Sequence, residues 1–258
     1  MADQGERPPV DWQGLPIDCA ACAHAELRTQ GGCDPADACV HGPTARLIER
    51  FFAAHRPLAD EHLGHPHLAA RVLAARTASV FRLRALLDDP EPDLRAVAVL
   101  RLPAVYAARC MGDRDRRVRM AAAMRLPADG LLPALEDADP GVRVIAARRA
   151  DIGVLPILVR DPDREVRRVV ALRIRPEHLA ALAGDPDPLV RRDVAQRLPA
   201  VLLPLLIADP DLRVRHAVAE RAPADLARRL LNDPDEVVRD AAARRAGIDR
   251  EERSDGER

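Results

Sequence analysis

One recurring arginine sets the frame of this chain. Arg71, Arg95, Arg119, Arg143, Arg167, Arg191, Arg215 and Arg239 follow one another at a constant interval of 24 residues, with no insertion. Four of them close a phrase of the type Asp-Pro-Asp-x-x-Val-Arg, as in residues 161–167, and the others close variants of it. A period of this length held over so many turns specifies stacked repeats, each too small to bury a core alone. Eight units run from His65 to Gly256, the second half of the last dissolving into a charged tail. With Arg at position 7, position 1 is His65 in the first unit and Asp in the others (Asp89, Asp113, Asp137, Asp161, Asp185, Asp209, Asp233). Position 6 is always apolar, and positions 10 and 11 are only Ala or Val.

This spacing predicts an α-helix over positions 4–14 of each unit. The Asp-Pro opening offers a side-chain cap and a pre-set first turn. At 100° per residue, positions 6, 10, 14 and 11 fall at about 0°, 40°, 80° and 140°, one continuous apolar arc, with the variable charges of positions 5, 8 and 12 opposite. Pro103, Pro127, Pro199 and Pro223 at position 15 mark its end. The second segment, positions 16–23, is rich in Leu and carries Pro133, Pro156 and Pro204 in its interior. Interior prolines disfavour a regular α-helix and suit short 3₁₀ turns. A helix of about 11 residues is only ~16 Å long, so its apolar arc is covered by the next unit. Layers about 8–10 Å apart would give a body about 65–80 Å long. The expected fold is an all-α solenoid. A strand-bearing leucine-rich repeat of similar length is rejected, because Ala-rich segments of period 3.6 stand where its Leu-x-x-Leu-x-Leu strand belongs.

The position-7 arginine lies inside the apolar arc, so it needs a carboxylate partner. Positions 1 and 3 supply candidates, in the same unit or the next. A second row, Arg101, Arg125, Arg149, Arg173, Arg197, Arg221 and Arg245, sits near the helix C-termini, where cations offset the macrodipole and cap free carbonyls. A surface for an acidic partner is the sharper, less favoured reading of that row.

Ahead of the repeats the pattern changes. Residues 43–64 form a capping helix and linker: Leu47, Ile48, Phe51 and Phe52 share one face that covers the open end of the stack. Residues 1–42 carry four of the five cysteines, as Cys19-x₂-Cys22-x₁₀-Cys33-x₅-Cys39. Clustered thiols in a chain expected in the cytoplasm point to metal rather than disulfides. Soft sulfur donors suit tetrahedral zinc or an iron–sulfur cluster. The wide second spacing sits more easily around a cluster, whose irons lie apart, and leaves zinc open. Cys110 falls at an apolar position of its unit and is expected in the core. His62, His65 and His67 read as a degenerate first repeat rather than a metal site. His24 and His41 are candidate donors near the thiols, or substitute ligands if the metal is zinc.

These residues together carry a resemblance. The repeats of residues 65–256 resemble the leucine-rich-repeat-variant family and, more distantly, HEAT-like repeats. The resemblance implies alternating α- and 3₁₀-helices in a right-handed superhelix, a handedness that periodicity alone does not supply. It also implies an N-terminal four-cysteine module holding a [4Fe–4S] cluster, with Cys19, Cys22, Cys33 and Cys39 as its ligands.

The expected function follows by exclusion as much as by motif. A net charge of −1 argues against general nucleic-acid binding, which needs excess cations. Trp12, Phe51, Phe52, Phe81 and Tyr106 are too few and scattered for a base-stacking platform. No apolar run approaches the roughly 20 residues of a membrane helix, and the expected compartment is the cytoplasm. There is no phosphate loop, nucleophile elbow or His-Glu-x-x-His, and no Lys at all, so no enzyme is expected. The favoured reading is a protein-interaction scaffold with an iron–sulfur module that senses redox state or passes electrons to a protein partner. A zinc-stapled adaptor is the alternative, and nucleic-acid binding along the arginines the weaker third.

Overall fold

The computed structural model describes residues 8–248, so the expected charged tail lies outside the described residues. The chain forms two compact units, Met1–Leu126 and Pro127–Arg258. Among the described residues all regular structure is helical, apart from isolated bridges pairing Val10 with Pro16 and Asp34 with Ala38.

The first unit contains a short helix, α1 (Ala25–Thr29), then α2 (Ala45–Ala54), α3 (Leu68–Thr77), α4 (Pro92–Arg101) and α5 (Arg116–Arg125). The second contains α6 (Pro140–Arg149), α7 (Arg164–Arg173), α8 (Pro188–Ala195), α9 (Leu212–Arg221) and α10 (Glu236–Ala246). In the first unit α2 packs on α3, α3 on α4 and α4 on α5; in the second, α6 to α10 pack in the same sequential way. The connecting segments are short, three of them wholly 3₁₀; Pro133, expected to disfavour α-helix, instead lies in the first turn of the α-turn Leu132–Leu135, where no backbone N–H is needed. Ile152–Leu158, Pro176–Leu182 and Ala200–Leu206 are 3₁₀ throughout, with Pro156 and Pro204 inside. Val80–Asp88, Ala104–Cys110 and Ala128–Leu135 mix 3₁₀ with single α-turns, and Ala224–Arg228 is a short α-helix.

The apolar arc is buried as its periodicity demands. At position 6, Ala70, Leu94, Val118, Val142, Val166, Val190, Val214 and Val238 are all 0% exposed. Leu83, Leu131, Leu155, Leu179 and Leu203 of the connecting segments are equally buried. Small residues at positions 10 and 11 let successive helices approach closely, so burial here comes from many layers of modest area.

One detail differs from the sequence expectation, and a second settles a choice that the sequence left open. The helix cap is the position-3 aspartate, not the position-1 residue. Asp163 Oδ1 accepts the N–H groups of Glu165 (2.8 Å) and Val166 (3.4 Å). Asp139, Asp187, Asp211 and Asp235 cap their helices in the same manner. The position-1 aspartate instead folds the turn before the helix, accepting the position-3 N–H, as Asp185 does from Asp187 at 2.9 Å. Replacing Asp163 by Ala is expected to lower stability by about 1 kcal/mol, and by Gly only a few tenths, read from urea midpoints.

The second detail is where the position-7 arginine finds its partner. It reaches the position-1 aspartate of the following layer. Arg143, Arg167, Arg191 and Arg215 each donate Nε and Nη2 to both oxygens of Asp161, Asp185, Asp209 and Asp233, at 2.6–3.0 Å. Their Nη1 donates back to the position-1 and position-2 carbonyls of the same layer. In the first unit Arg95 makes the same fork on Asp113 at 2.7 and 2.8 Å. Each rung therefore fixes the spacing of two adjacent layers.

The second arginine row caps the layer before it. Arg221 Nη1 donates to the carbonyls of Ala195 (2.6 Å) and Leu198 (2.8 Å), and Arg101, Arg173 and Arg197 repeat the pattern. These guanidinium groups are engaged with helix ends.

The Arg95–Asp113 rung makes stability depend on acid. The hydrogen bond from Arg95 holds the Asp113 carboxyl below its ordinary value of 3.8. The unfolded chain then binds the proton first as pH falls. The stabilisation is complete above about pH 4 and is lost as pH drops through the depressed native value. Thermal unfolding from pH 6 to 2 is expected to show this loss, with Asp113→Asn flattening part of it.

Candidate metal centre

The cysteine segment is built from turns, each with a local cause. Asp11 Oδ1 accepts the N–H groups of Gln13 and Leu15 around Gly14, whose φ of 82° suits glycine. Asp18 Oδ1 accepts those of Ala20 and Ala21, forming the turn from Cys19 to Cys22. The helix α1 follows and stops at Gly31, φ 75°. The loop from Cys33 to Cys39 is closed by the Asp34–Ala38 bridge and by Asp34 Oδ1 accepting the N–H of Ala36. Arg28 ties α1 to it, donating to the Cys33 carbonyl and pairing with Asp34, both at 3.2 Å. Cys39 N–H donates to Leu47 O, fastening the loop to α2. A Cβ at Gly42 would meet Leu47 at 2.8 Å, so this junction needs glycine.

All four segment cysteines are free thiols, Cys33 and Cys39 buried, Cys19 and Cys22 half-buried. They lie within electrostatic reach of one another. Burial pushes the Cys33 thiol up to about 11, and Cys39, Cys22 and Cys19 push the same way against Arg28. Cys39 is also raised by burial, the backbone N–H of His41 opposing. The His24 backbone N–H donates to Cys22 Sγ at 3.4 Å. Each of these two sulfurs thus has a main-chain donor two residues on, of the kind that stabilises a thiolate. Among the described residues no group of three or more His, Cys, Asp or Glu side chains is arranged to hold a metal ion. Four soft donors gathered from two loops, unpaired by disulfides and partly shielded from water, fit an iron–sulfur cluster by donor chemistry.

The histidines do something the sequence reading missed. The ring of His24 meets His62, Nε2 to Nε2 at 2.8 Å, and the ring of His41 meets His65, Nδ1 to Nε2 at 3.1 Å. His24 and His41 therefore approach the cysteines through their backbone, with their rings engaged on His62 of the linker and His65 of the first repeat. His65 Nδ1 also accepts the N–H of His67 at 3.0 Å. That is the bond made by the position-1 aspartate in later layers. With Nδ1 accepting, the neutral ring carries its proton on Nε2 and donates it to His41. Trp12 stacks on His67 with centroids 5.2 Å apart and planes 6° from parallel. Burial lowers His24, His41 and His67, and with neighbouring imidazoles takes His62 and His65 down to about 4. The one signal in the sequence was an interval: His41 and His65 are one period of 24 residues apart.

The remaining predicted residues are where periodicity put them. Phe51, Phe52 and Ile48 are buried at 0–1%, whereas Leu47 is half-buried beside the cysteine loop. Cys110 is buried in its repeat, its Sγ donating to Tyr106 O at 3.4 Å. Among the described residues no helix is long and apolar enough to cross a membrane.

Comparison with known proteins bears on both parts. Residues 9–61 match the family described as "LRV protein FeS4 cluster", a segment containing all four clustered cysteines. A solved structure described as "a leucine-rich repeat variant with a novel repetitive protein structural motif" superposes with a TM-score of 0.81 at 39% identity. That match covers 89% of this chain and 98% of the other. A Rhodobacter capsulatus protein named "Uncharacterized 27.7 kDa protein in nifB 3'region" is 51% identical over 99 residues. The aligned stretch is 38% of this chain and 40% of the relative's length.

Proposed function

The chain belongs to the leucine-rich-repeat-variant family, and from that premise we propose that it is a non-enzymatic, cytoplasmic scaffold binding a protein partner. In this reading Cys19, Cys22, Cys33 and Cys39 hold a [4Fe–4S] cluster at its N-terminal end. The observation that carries it is the set of four free, mutually interacting thiols inside the segment matched by the iron–sulfur family. When bound, such a group supplies one-electron redox chemistry. The chain's own residues supply the rest. Burial of Cys33 and Cys39 keeps water from one side, while half-buried Cys19 and Cys22 face the side open to a partner. The backbone N–H groups of His24 and His41 donate toward sulfur and thereby favour the deprotonated ligand. Solvent exposure and donors to sulfur are the levers that set a cluster's potential.

The test is a preparation made without oxygen and assayed for iron, acid-labile sulfide and zinc, with electron paramagnetic resonance after reduction. Iron and sulfide in near-equal amounts, about four each per chain, support the reading. Zinc without sulfide replaces it with a zinc-stapled adaptor.

A further inference from the structure

The rungs that couple later layers are missing at the first. Arg71 occupies the position of Arg95 and Arg167, yet its buried Nε has no hydrogen-bond partner. The layer made of residues 56–64 and α3 is therefore held to its neighbour without the charged fork. On its other side it meets the cysteine segment through imidazoles: His24 on His62, His41 on His65 and Trp12 over His67. The two prongs of this joint are not placed at random. His24 stands two residues after Cys22 and His41 two residues after Cys39, one on each cysteine loop. Whatever fixes both loops fixes both prongs.

We propose that the cluster acts as a latch on the repeats: bound to both loops it seats His24 and His41 on His62 and His65, and its loss releases the first helical layer. This rests on the cluster reading above. Each imidazole pair makes one hydrogen bond where a fork makes two to a carboxylate, so this joint is the weak coupling beside the fork-linked layers. Among the described residues few apolar side chains of the cysteine segment are buried (Cys33, Pro35, Cys39 and Val40), so without a bound group the loops are held by local hydrogen bonds and little apolar burial. Release uncovers Phe51, Phe52 and Ile48, a surface absent from the loaded protein.

Hydrogen–deuterium exchange of the full chain, loaded and after removal of the cluster by ferricyanide and chelator, tests the latch. The amides of residues 56–77 are expected to exchange at least about tenfold faster after removal, while those of α7 to α9 are unchanged. Trp12 is the sole tryptophan, so acrylamide quenching of its emission should rise in step. In a His62→Asn, His65→Asn double variant, Asn at 65 still accepts the N–H of His67 but no longer reaches His41. That variant is expected to keep its iron and sulfide, to exchange fast at residues 56–77 even when loaded, and to respond little to cluster removal. A loaded wild type with equal exchange before and after removal overturns the latch alone. A double variant that responds as fully as wild type overturns the route through the imidazoles. A preparation that never contained iron and sulfide overturns the cluster reading and the latch with it.

Discussion

Arg167→Ala is expected to lower unfolding free energy by about 3–5 kcal/mol, the cost of stranding a buried charge. The side chains of Arg167 and Asp185 are 10% and 3% exposed. The guanidinium satisfies both Asp185 oxygens at 2.7 and 3.0 Å and the carbonyls of Asp161 and Pro162 at 2.8 and 3.1 Å. Truncation leaves the carboxylate and two carbonyls without these donors in a site that water barely reaches. For a chain of this size each kcal/mol shifts the melting temperature by roughly 2–4 °C, so calorimetry should show a fall of roughly 6–20 °C. The compensating variant separates a stranded charge from lost packing. Arg167→Met with Asp185→Asn removes both charges, fills the space with an apolar stem and keeps an oxygen for the Asp187 N–H. It is expected to recover more than half of the loss, because a neutral pair costs far less to bury than a lone ion. A loss below about 1 kcal/mol for Arg167→Ala would mean that the forks decorate the stack without holding it.

The same rung shows what could be read from the sequence. That Arg167 sits in the apolar arc follows from 100° per residue, and so does its need for an acid. Which acid it takes does not follow. Asp161 lies 6 residues back and Asp185 18 residues on, and only the stacking of layers decides between them. The chain uses both, the carbonyl of one and the carboxylate of the other. The cap was missed for a related reason: Asp161 and Asp163 are both plausible N-caps by type, and helix phase selects Asp163. Burial at position 6 was legible at every unit because it depends on periodicity alone. The cysteines were legible because four thiols in 21 residues have few chemical uses. The histidine joint was not, because contacts between a non-repeating module and the first repeat leave no periodic trace beyond the His41–His65 interval.

Single substitutions of the clustered cysteines are expected to separate sharply from one at Cys110. Cys33→Ala and Cys39→Ala should each lower bound iron and sulfide more than about tenfold, since losing a ligand is worse than the 10–100-fold typical of an outer partner. Cys19→Ala and Cys22→Ala should do the same, although these thiols are less buried and their removal disturbs less packing. Cys110→Ala should leave iron and sulfide unchanged. Cys110 is an interior filler, raised by burial and bonded to Tyr106 O, and its loss reduces stability only modestly through a small cavity. The contrast is informative because burial cannot explain it: Cys33, Cys39 and Cys110 are all buried to a similar degree. What differs is company. Cys33 has three other thiols in reach and Cys110 has none among its electrostatic neighbours. If Cys39→Ala retained its iron, the ligand set would have to be redrawn around the imidazoles, and the prongs that seat the first repeat would become ligands instead.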